Sequence, residues 1–305
     1  MRCVLVIVHS ARPEAAVHAA SFAARLRTAG LAIRVLEVDA GILASAGLTD
    51  VEVVPEGTGA SAGCEVAVVL GGDGTILRAA EMCRDAETPV LGVNLGHVGF
   101  LAEVDAEDLD EVVRRVVARD YTVQDRLTVD VDVSVGGTSV ATNWALNEAS
   151  IEKASRGRML EVVVEIDGRP VSRWGCDGVV CATPTGSTAY NFSAGGPIVW
   201  PEVEALLMVP ISAHALFARP LVVSPDSTVA VEVVGDQSTG VLWCDGRRAA
   251  DLPSGARVEV RRGRHRVRLA RLGPEPFADR LVRKFDLPVE GWRGTAARRL
   301  AGGSD

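Results

Sequence analysis

The chain has 305 residues, 48% hydrophobic and 24% charged, with a formal net charge of −8. That length allows two domains or one large one, and the acidic balance argues against a nucleic-acid-binding role for the whole chain. No apolar run approaches the roughly 20 residues needed to span a bilayer, so no membrane segment is expected.

Val4–Val8 predicts a first strand. Arg12 and Pro13 close it with no small-residue cleavage site, so the N-terminus reads as a strand and not as a signal peptide. Glu14–Arg27 has helix composition, and Ala32–Val38 predicts a second strand. Residues 40–64 read as a loop with a short helix near Ile42–Ser45. Glu65–Leu70 predicts a buried strand, Gly71-Gly72-Asp73-Gly74-Thr75 a turn, and Thr75–Asp85 a helix. Strand, glycine turn and helix make a phosphate-binding geometry, because the helix N-terminus offers unpaired N–H groups and glycine lets the backbone approach. A carboxylate in such a turn repels phosphate. It makes sense if Asp73 takes or orients a hydroxyl proton beside that phosphate. A tight turn alone would also use Asp and Gly, but the C-terminal end of a buried strand is where α/β proteins bind ligands.

Pro89–Asn94 predicts the next strand, and Asn94–Leu101 follows its C-terminal end as a wall of the same cleft, where His97 either acts as a ligand or base or satisfies a backbone group. Asp105–Asp120 is an amphipathic helix with Leu109, Val112, Val113, Val116 and Val117 on one face. Alternating strands and helices over residues 1–120 imply a doubly wound parallel sheet.

From Tyr121 the pattern changes to short β-branched runs, at Thr128–Val135, Leu160–Ile166, Gly178–Ala182, Leu221–Val223, Val229–Val234, Arg257–Val260 and Arg266–Ala270. Glycine turns separate them, so residues 121–275 read as an all-β domain. Phe277–Phe285 predicts a helix returning to the first domain, within a C-terminal segment 276–305 whose residues 294–305 read as loose. Six cysteines without a Cys-x-x-Cys read as buried thiols in a reducing cytosol, and the five histidines have no metal-ligand spacing. Only Lys153 and Lys284 are lysines, which excludes a P-loop, and no Gly-x-Gly-x-x-Gly occurs.

Within the β region, Asn147-Glu148 sets an amide beside a carboxylate, a pair that can hold ribose hydroxyls or simply form a loop. Arg156 and Arg158 flank Gly157, where arginine meets phosphate or merely solvates a turn. Asp177-Gly178 precedes an apolar strand, and Thr183–Pro197 packs hydroxyls, an amide and Tyr190 between two glycine clusters, a loop suited to a nucleotide. His214 reads as a core or supporting histidine, Asp245-Gly246 as a hairpin turn and Trp243 as core.

Together Gly71–Thr75, Asn94–Leu101, Asn147-Glu148, Asp177 with Thr183–Pro197, and His214 with Arg219-Pro220 resemble the NAD kinase family. The resemblance implies an N-terminal α/β domain, a β-sandwich-like C-terminal domain, a site in the cleft between them, and a homo-oligomer, either a dimer or a tetramer. It implies NAD as substrate, ATP or inorganic polyphosphate as donor, and Mg²⁺ or another divalent cation arriving with the donor. Asp73 would be the base acting on the adenosine ribose 2′-hydroxyl. Gly74 would lend N–H groups to phosphates, and Arg78 would add positive charge. Asn147 and Glu148 would hold ribose hydroxyls, Arg158 would stand near the dinucleotide, and Asp177 would contact the nicotinamide end. Thr188, Ala189, Tyr190, Asn191, Phe192 and Ser193 would line the adenine side. A lipid kinase and a non-catalytic NAD(H)-binding sensor are the alternative readings.

Overall fold

The computed structural model describes residues 1–9, 13–94, 99–102, 104–105, 109–235, 238–273 and 276–289. His97, the rest of Leu95–Val98 and the tail 294–305 lie outside the described residues. Its first half runs β1 (Cys3–Val8), α1 (Pro13–Thr28), β2 (Ala32–Leu36), α2 (Glu37–Ser45), β3 (Glu52–Val54), β4 (Val66–Leu70), α3 (Asp73–Cys83), β5 (Val90–Asn94), β6 (Val104–Asp105), α4 (Leu109–Ala118) and β7 (Thr122–Arg126). β1, β4 and β5 are buried along their whole length, as uninterrupted apolar runs must be when helices cover both faces of a parallel sheet. β1 through β5 pair in parallel in the order β3-β2-β1-β4-β5.

Three boundaries differ from expectation. The second strand ends at Leu36, and α2 starts directly from it at Glu37. Leu36 provides no side-chain cap, so the sequence carried no start signal there. The three-residue β3 is too short for its alternation to register, and α3 begins at Asp73 itself, which puts the carboxylate on the helix.

The second half continues β8 (Val129–Val135), β9 (Thr138–Ala145), β10 (Glu148–Lys153), β11 (Leu160–Ile166), β12 (Arg169–Cys176), β13 (Gly178–Ala182), a 3₁₀ turn (Thr185–Thr188), α5 (Tyr190–Ser193), β14 (Leu206–Ile211), β15 (Leu221–Val223), β16 (Val229–Val233), β17 (Gly240–Cys244), β18 (Arg248–Leu252) and β19 (Ala256–Arg262). Two antiparallel six-stranded sheets result, in the orders β15-β14-β13-β10-β17-β18 and β12-β11-β16-β19-β8-β9. Alternate residues such as Val129, Val131 and Val133, or Val229, Val231 and Val233, meet Ile151, Val179 and Leu242 of the facing sheet in one core, which makes this half a β-sandwich. The segment after β13 is not irregular throughout, as the sequence suggested. Its helical turns cover the outer face of β13 and β14, where Tyr190, Ala194 and Val199 pack on Val180, Ala182, Leu207 and Val209.

The chain then returns. β20 (Val267–Arg271) enters the first sheet between β5 and β7, parallel to β5 and antiparallel to β7. α6 (Phe277–Phe285) follows. Arg280 of α6 donates to the carbonyls of Phe100 and Ala102, while Phe285 packs on Phe192 of α5 at 4.6 Å, so the last helix touches both halves. The resulting architecture is a doubly wound α/β layer followed by a β-sandwich, with the C-terminal helix packed back. Because Thr122–Arg126 and Val267–Arg271 lie in the first sheet, we propose that the division between the halves falls after Arg126 and before Val267, in place of 120 and 275.

Candidate active site

In the first sheet the chain leaves β1 toward β2 and later returns to place β4 on the other side of β1. Loops at such a switch point diverge and open a crevice at the carboxyl ends of the strands. Val8 at the end of β1 and His9 after it, with Gly72, Gly74, Thr75 and Arg78 after β4, line a cavity of about 400 Å³ there, joined by Arg247 from the β17–β18 hairpin. The Gly72 carbonyl accepts from Thr75 N at 2.9 Å and Ile76 N at 3.2 Å, which starts α3 at the cavity's edge. A helix N-terminus presents donors without intrahelical partners and partial positive charge. Gly71 has to be glycine, because a β-carbon would stand 2.6 Å from Thr75 Oγ1.

Asp73 opens that helix, and its carboxylate is fixed from across the sheet edge. Oδ2 accepts from Phe100 N and Oδ1 from Leu101 N, both at 3.1 Å. An ionised carboxylate has about four acceptor sites, so two remain for a substrate hydroxyl. The segment that grips it is itself gripped. The buried Arg280 donates to Phe100 O at 3.3 Å and Ala102 O at 3.2 Å, and the Phe100 ring packs against Phe277 and Phe285 of α6. Sequence reasoning saw Gly99-Phe100-Leu101 only as a cleft wall and assigned Arg280 nothing. Both contacts join residues far apart in the chain.

Arg78 faces the cavity, but its charge is matched. Its Nε and Nη2 donate to Glu56 at 2.9 and 3.0 Å, and Nη1 stands 3.5 Å from Asp39 Oδ1. Arg78 holds the Glu56 carboxyl below its ordinary range, while burial pushes the fully enclosed Asp39 carboxyl up. The expected surplus of positive charge at Arg78 is therefore largely neutralised, and N–H groups carry more of the anion-binding capacity.

In the sandwich, Asn147 and Glu148 are buried where the chain crosses from β9 to β10. Asn147 O accepts from Thr183 N at 2.9 Å, and a β-carbon on Gly186 would stand 2.0 Å from that oxygen, so the 183–188 turn lies directly on the pair. Burial, and secondly the nearby Asp245 carboxylate, raises the Glu148 carboxyl to about 8, against a smaller pull from the Tyr190 N–H. At neutral pH Glu148 is thus mostly protonated and can donate as well as accept, where the sequence suggested a carboxylate that only accepts.

Thr188 and Thr185 line a second cavity, of about 220 Å³, with Phe100 and Leu101. The groups that hold Asp73 and the hydroxyl-rich turn therefore face one space. Ala189 precedes α5, and the Tyr190 phenol is raised by burial and then by Glu152, Glu148 and Asp177, which places those acids around it. Asn191 departs from expectation. It is fully buried, and its Nδ2 donates to Ser187 O and Pro197 O, so it shapes the turn from inside. Phe192 and Ser193 are exposed, with Phe192 stacked on α6. Asp177 pairs with Lys153 at 2.5 Å, which lowers its carboxyl, helped by Ser212 and His214. His214 is exposed and not core, because it projects beyond β14, and Trp243 is likewise 39% exposed on the outer face of its sheet. Arg158 lies in the exposed turn between β10 and β11. The structure thus brings Gly74 and Arg78 to one cavity, with Asp73 between Gly72 and Gly74 at the start of α3, sets Thr188 beside the segment that holds Asp73, and lays Asn147 against the 183–188 turn.

Among the described residues no group of three or more His, Cys, Asp or Glu is placed to hold a metal ion, and no helix is long and apolar enough to cross a membrane.

Two family models match the chain, ATP-NAD kinase N-terminal domain over residues 52–121 and ATP-NAD kinase C-terminal domain over residues 146–272. An NAD kinase of Thermobifida fusca is 60% identical over 307 residues, covering 99% of this chain and 94% of its own. NAD kinase 2 of Streptomyces coelicolor is 61% identical, covering 96% and 97%. Among solved structures, yeast NADH kinase complexed with NADH superposes with a TM-score of 0.86 at 24% identity over 95% of this chain and 89% of its own. An NAD kinase from Archaeoglobus fulgidus in complex with ATP gives 0.70 at 23% over 94% and 99%. At those identities the two structures speak to the fold, which they share. The chain belongs to the NAD kinase family, and neither the lipid-kinase nor the sensor reading is favoured.

Proposed function

We propose that this enzyme transfers a phosphoryl group to the 2′-hydroxyl of the adenosine ribose of NAD, giving NADP. The observation that carries the reading is Asp73, a carboxylate fixed by two backbone N–H groups at a helix N-terminus bordering an anion-suited cavity. A ribose hydroxyl is a weak nucleophile near neutral pH. Asp73 takes its proton as the oxygen forms a bond to the donor's terminal phosphorus and the bond from that phosphorus to the donor's bridging oxygen breaks. Gly72, Gly74 and the first turn of α3 meet the phosphates with N–H groups, and Arg78 and Arg247 flank them. Asn147 and Glu148 hold ribose hydroxyls, Thr188 to Tyr190 line the base, and Asp177, Lys153 and Arg158 serve the far end of the dinucleotide.

ATP or inorganic polyphosphate serves as donor. A divalent cation such as Mg²⁺ enters on the donor's phosphates, as that ion usually does. The exposed apolar Leu216, Phe217, Val222 and Trp243 offer surface to a second copy of the chain, which supports a dimer or tetramer. Six free thiols support a reducing cytosol as the setting. Incubation of the purified protein with NAD, Mg²⁺ and either ATP or polyphosphate tests the reading through NADP formation. NAD binding without NADP from any donor would overturn it.

A further inference from the structure

Leu146 and Asn147 sit where the chain leaves one sheet of the sandwich and enters the other, so their N–H groups have no strand to pair with. Buried backbone donors must find partners. Here they share one side chain, since Asp245 Oδ1 accepts from Asn147 N at 2.7 Å and Oδ2 from Leu146 N at 3.0 Å. The Asp245 N–H in turn donates to Glu148 O at 2.9 Å. Thr183 closes the other side, with its hydroxyl on Leu146 O at 2.6 Å and its N–H on Asn147 O. Every backbone polar group of the bend is thereby fixed.

An Asp-Gly hairpin turn uses aspartate for its left-handed backbone, and Asp245 has φ 54°. In an ordinary hairpin that side chain would face solvent. Here only 2% of it is exposed, and Arg248 Nη2 donates to Oδ2 at 2.8 Å. Arg248 lies over the Trp144 ring at 4.4 Å and stands 3.6 Å from Glu81 of α3, the helix that begins with Asp73. The hairpin thus ties the bend to the element carrying the proposed base.

We infer that Asp245 is a positioning residue for the dinucleotide, holding Asn147 and Glu148 in register with α3 through Arg248. This inference rests on the proposed role of Asn147 and Glu148 in binding NAD. Asp245→Asn keeps the volume and the left-handed backbone, which asparagine also adopts. It replaces one of the two acceptors by a donor, so one N–H of the bend meets an N–H. The expected result is a rise in KM for NAD of about tenfold, the effect of one unsatisfied buried group. KM for ATP should stay within about twofold, as expected when only binding of NAD is perturbed.

A merely structural role lowers the folded fraction, and hence kcat, while KM for NAD holds. That outcome, with melting followed in parallel, would overturn the inference. Should Asp245→Asn fail to fold, Arg248→Met leaves the hairpin turn intact and removes the donor to Oδ2. A smaller rise in KM for NAD supports the inference, and an unchanged value sinks it. Asn147→Ala and Glu148→Gln separate the two levels. If they raise KM for NAD and Asp245→Asn does not, Asp245 is no positioning residue. If they too leave it unchanged, the reading of the dinucleotide site fails and takes this inference with it.

Discussion

A β-carbon added to Gly99 would stand 2.2 Å from Oδ1 of Asp73 and 2.9 Å from its Cγ. The close approach is what allows the next two residues to aim their N–H groups at the carboxylate. Alanine at this position meets the carboxylate head-on, so the Asp73 side chain has to shift. Gly99→Ala should lose about 10²-fold in turnover, the usual cost of misplacing a reacting group by an ångström, measured at a temperature where melting shows the variant folded. Near wild-type turnover would mean that the carboxylate relaxes without consequence and is not the base.

Asp73→Asn removes the base without changing shape. The amide oxygen still accepts from one of the Phe100 and Leu101 N–H groups, and water takes the other because Asp73, unlike Asp245, is only half-buried, so the cleft should persist. Turnover should drop by about 10²–10⁴-fold, the range a positioned base contributes. Calorimetric binding of NAD should remain within a few-fold. Joint loss of binding and turnover would reassign Asp73 to substrate binding.

These two residues also mark what the sequence could and could not disclose. Asp73 was legible because its setting is local, an apolar run, glycines and a helix in one stretch of chain. Gly99 and Arg280 act across distances the chain does not advertise, and Asp245 looked like a hairpin turn because its left-handed backbone is one. The destination of its side chain depends on how two sheets pack. Two strands are hidden in the sequence for similar reasons. β7 is the polar edge run Thr-Val-Gln-Asp-Arg, exposed over four of its five residues. β14 contains Pro210, a residue that argues against a central strand. It is tolerated because β15 pairs only with Leu206–Met208, so the proline's missing N–H faces no neighbour on that side.

Glu65 supplies an acid-limit prediction. Its carboxylate accepts from Arg2 at 2.6 and 2.7 Å, from Arg119 at 2.8 and 3.1 Å and from the Tyr121 hydroxyl at 3.2 Å, joining β1, β4, α4 and the approach to β7. Arg2 above all pulls the carboxyl down to about 2. A folded value below the unfolded one means the unfolded chain takes up the proton first. The contribution is therefore present above about pH 4.5 and lost as pH falls toward about 2. Glu65→Gln should cost about 1 kcal/mol at pH 7, since Arg119 stands in screening solvent. The deficit should shrink through that acid window, as urea titrations at a series of pH values would reveal. A deficit constant down to pH 2 would show that shape and not charge matters.

Glu148 gives the opposite sign. Burial and the Asp245 carboxylate raise it to about 8, whereas in the unfolded chain it titrates near 4.5. Burial raises the Asp245 carboxyl as well, but there Leu146 N, Asn147 N and Arg248 all favour the ionised form. Glu148 has only the Tyr190 N–H in its favour, and its Oε2 is buried without a partner. Between about pH 4.5 and 8 the native state holds a proton that the unfolded chain has released, so stability declines as pH rises across that window. Glu148→Gln cannot ionise and escapes the decline. Its own amide in the same enclosed position adds an offset, but that offset does not vary with pH. The difference in melting temperature, variant minus wild type, should thus grow from pH 5 to about pH 8 and level off above it. A difference independent of pH would place an ordinary carboxylate at Glu148, and with it a residue that only accepts from the ribose.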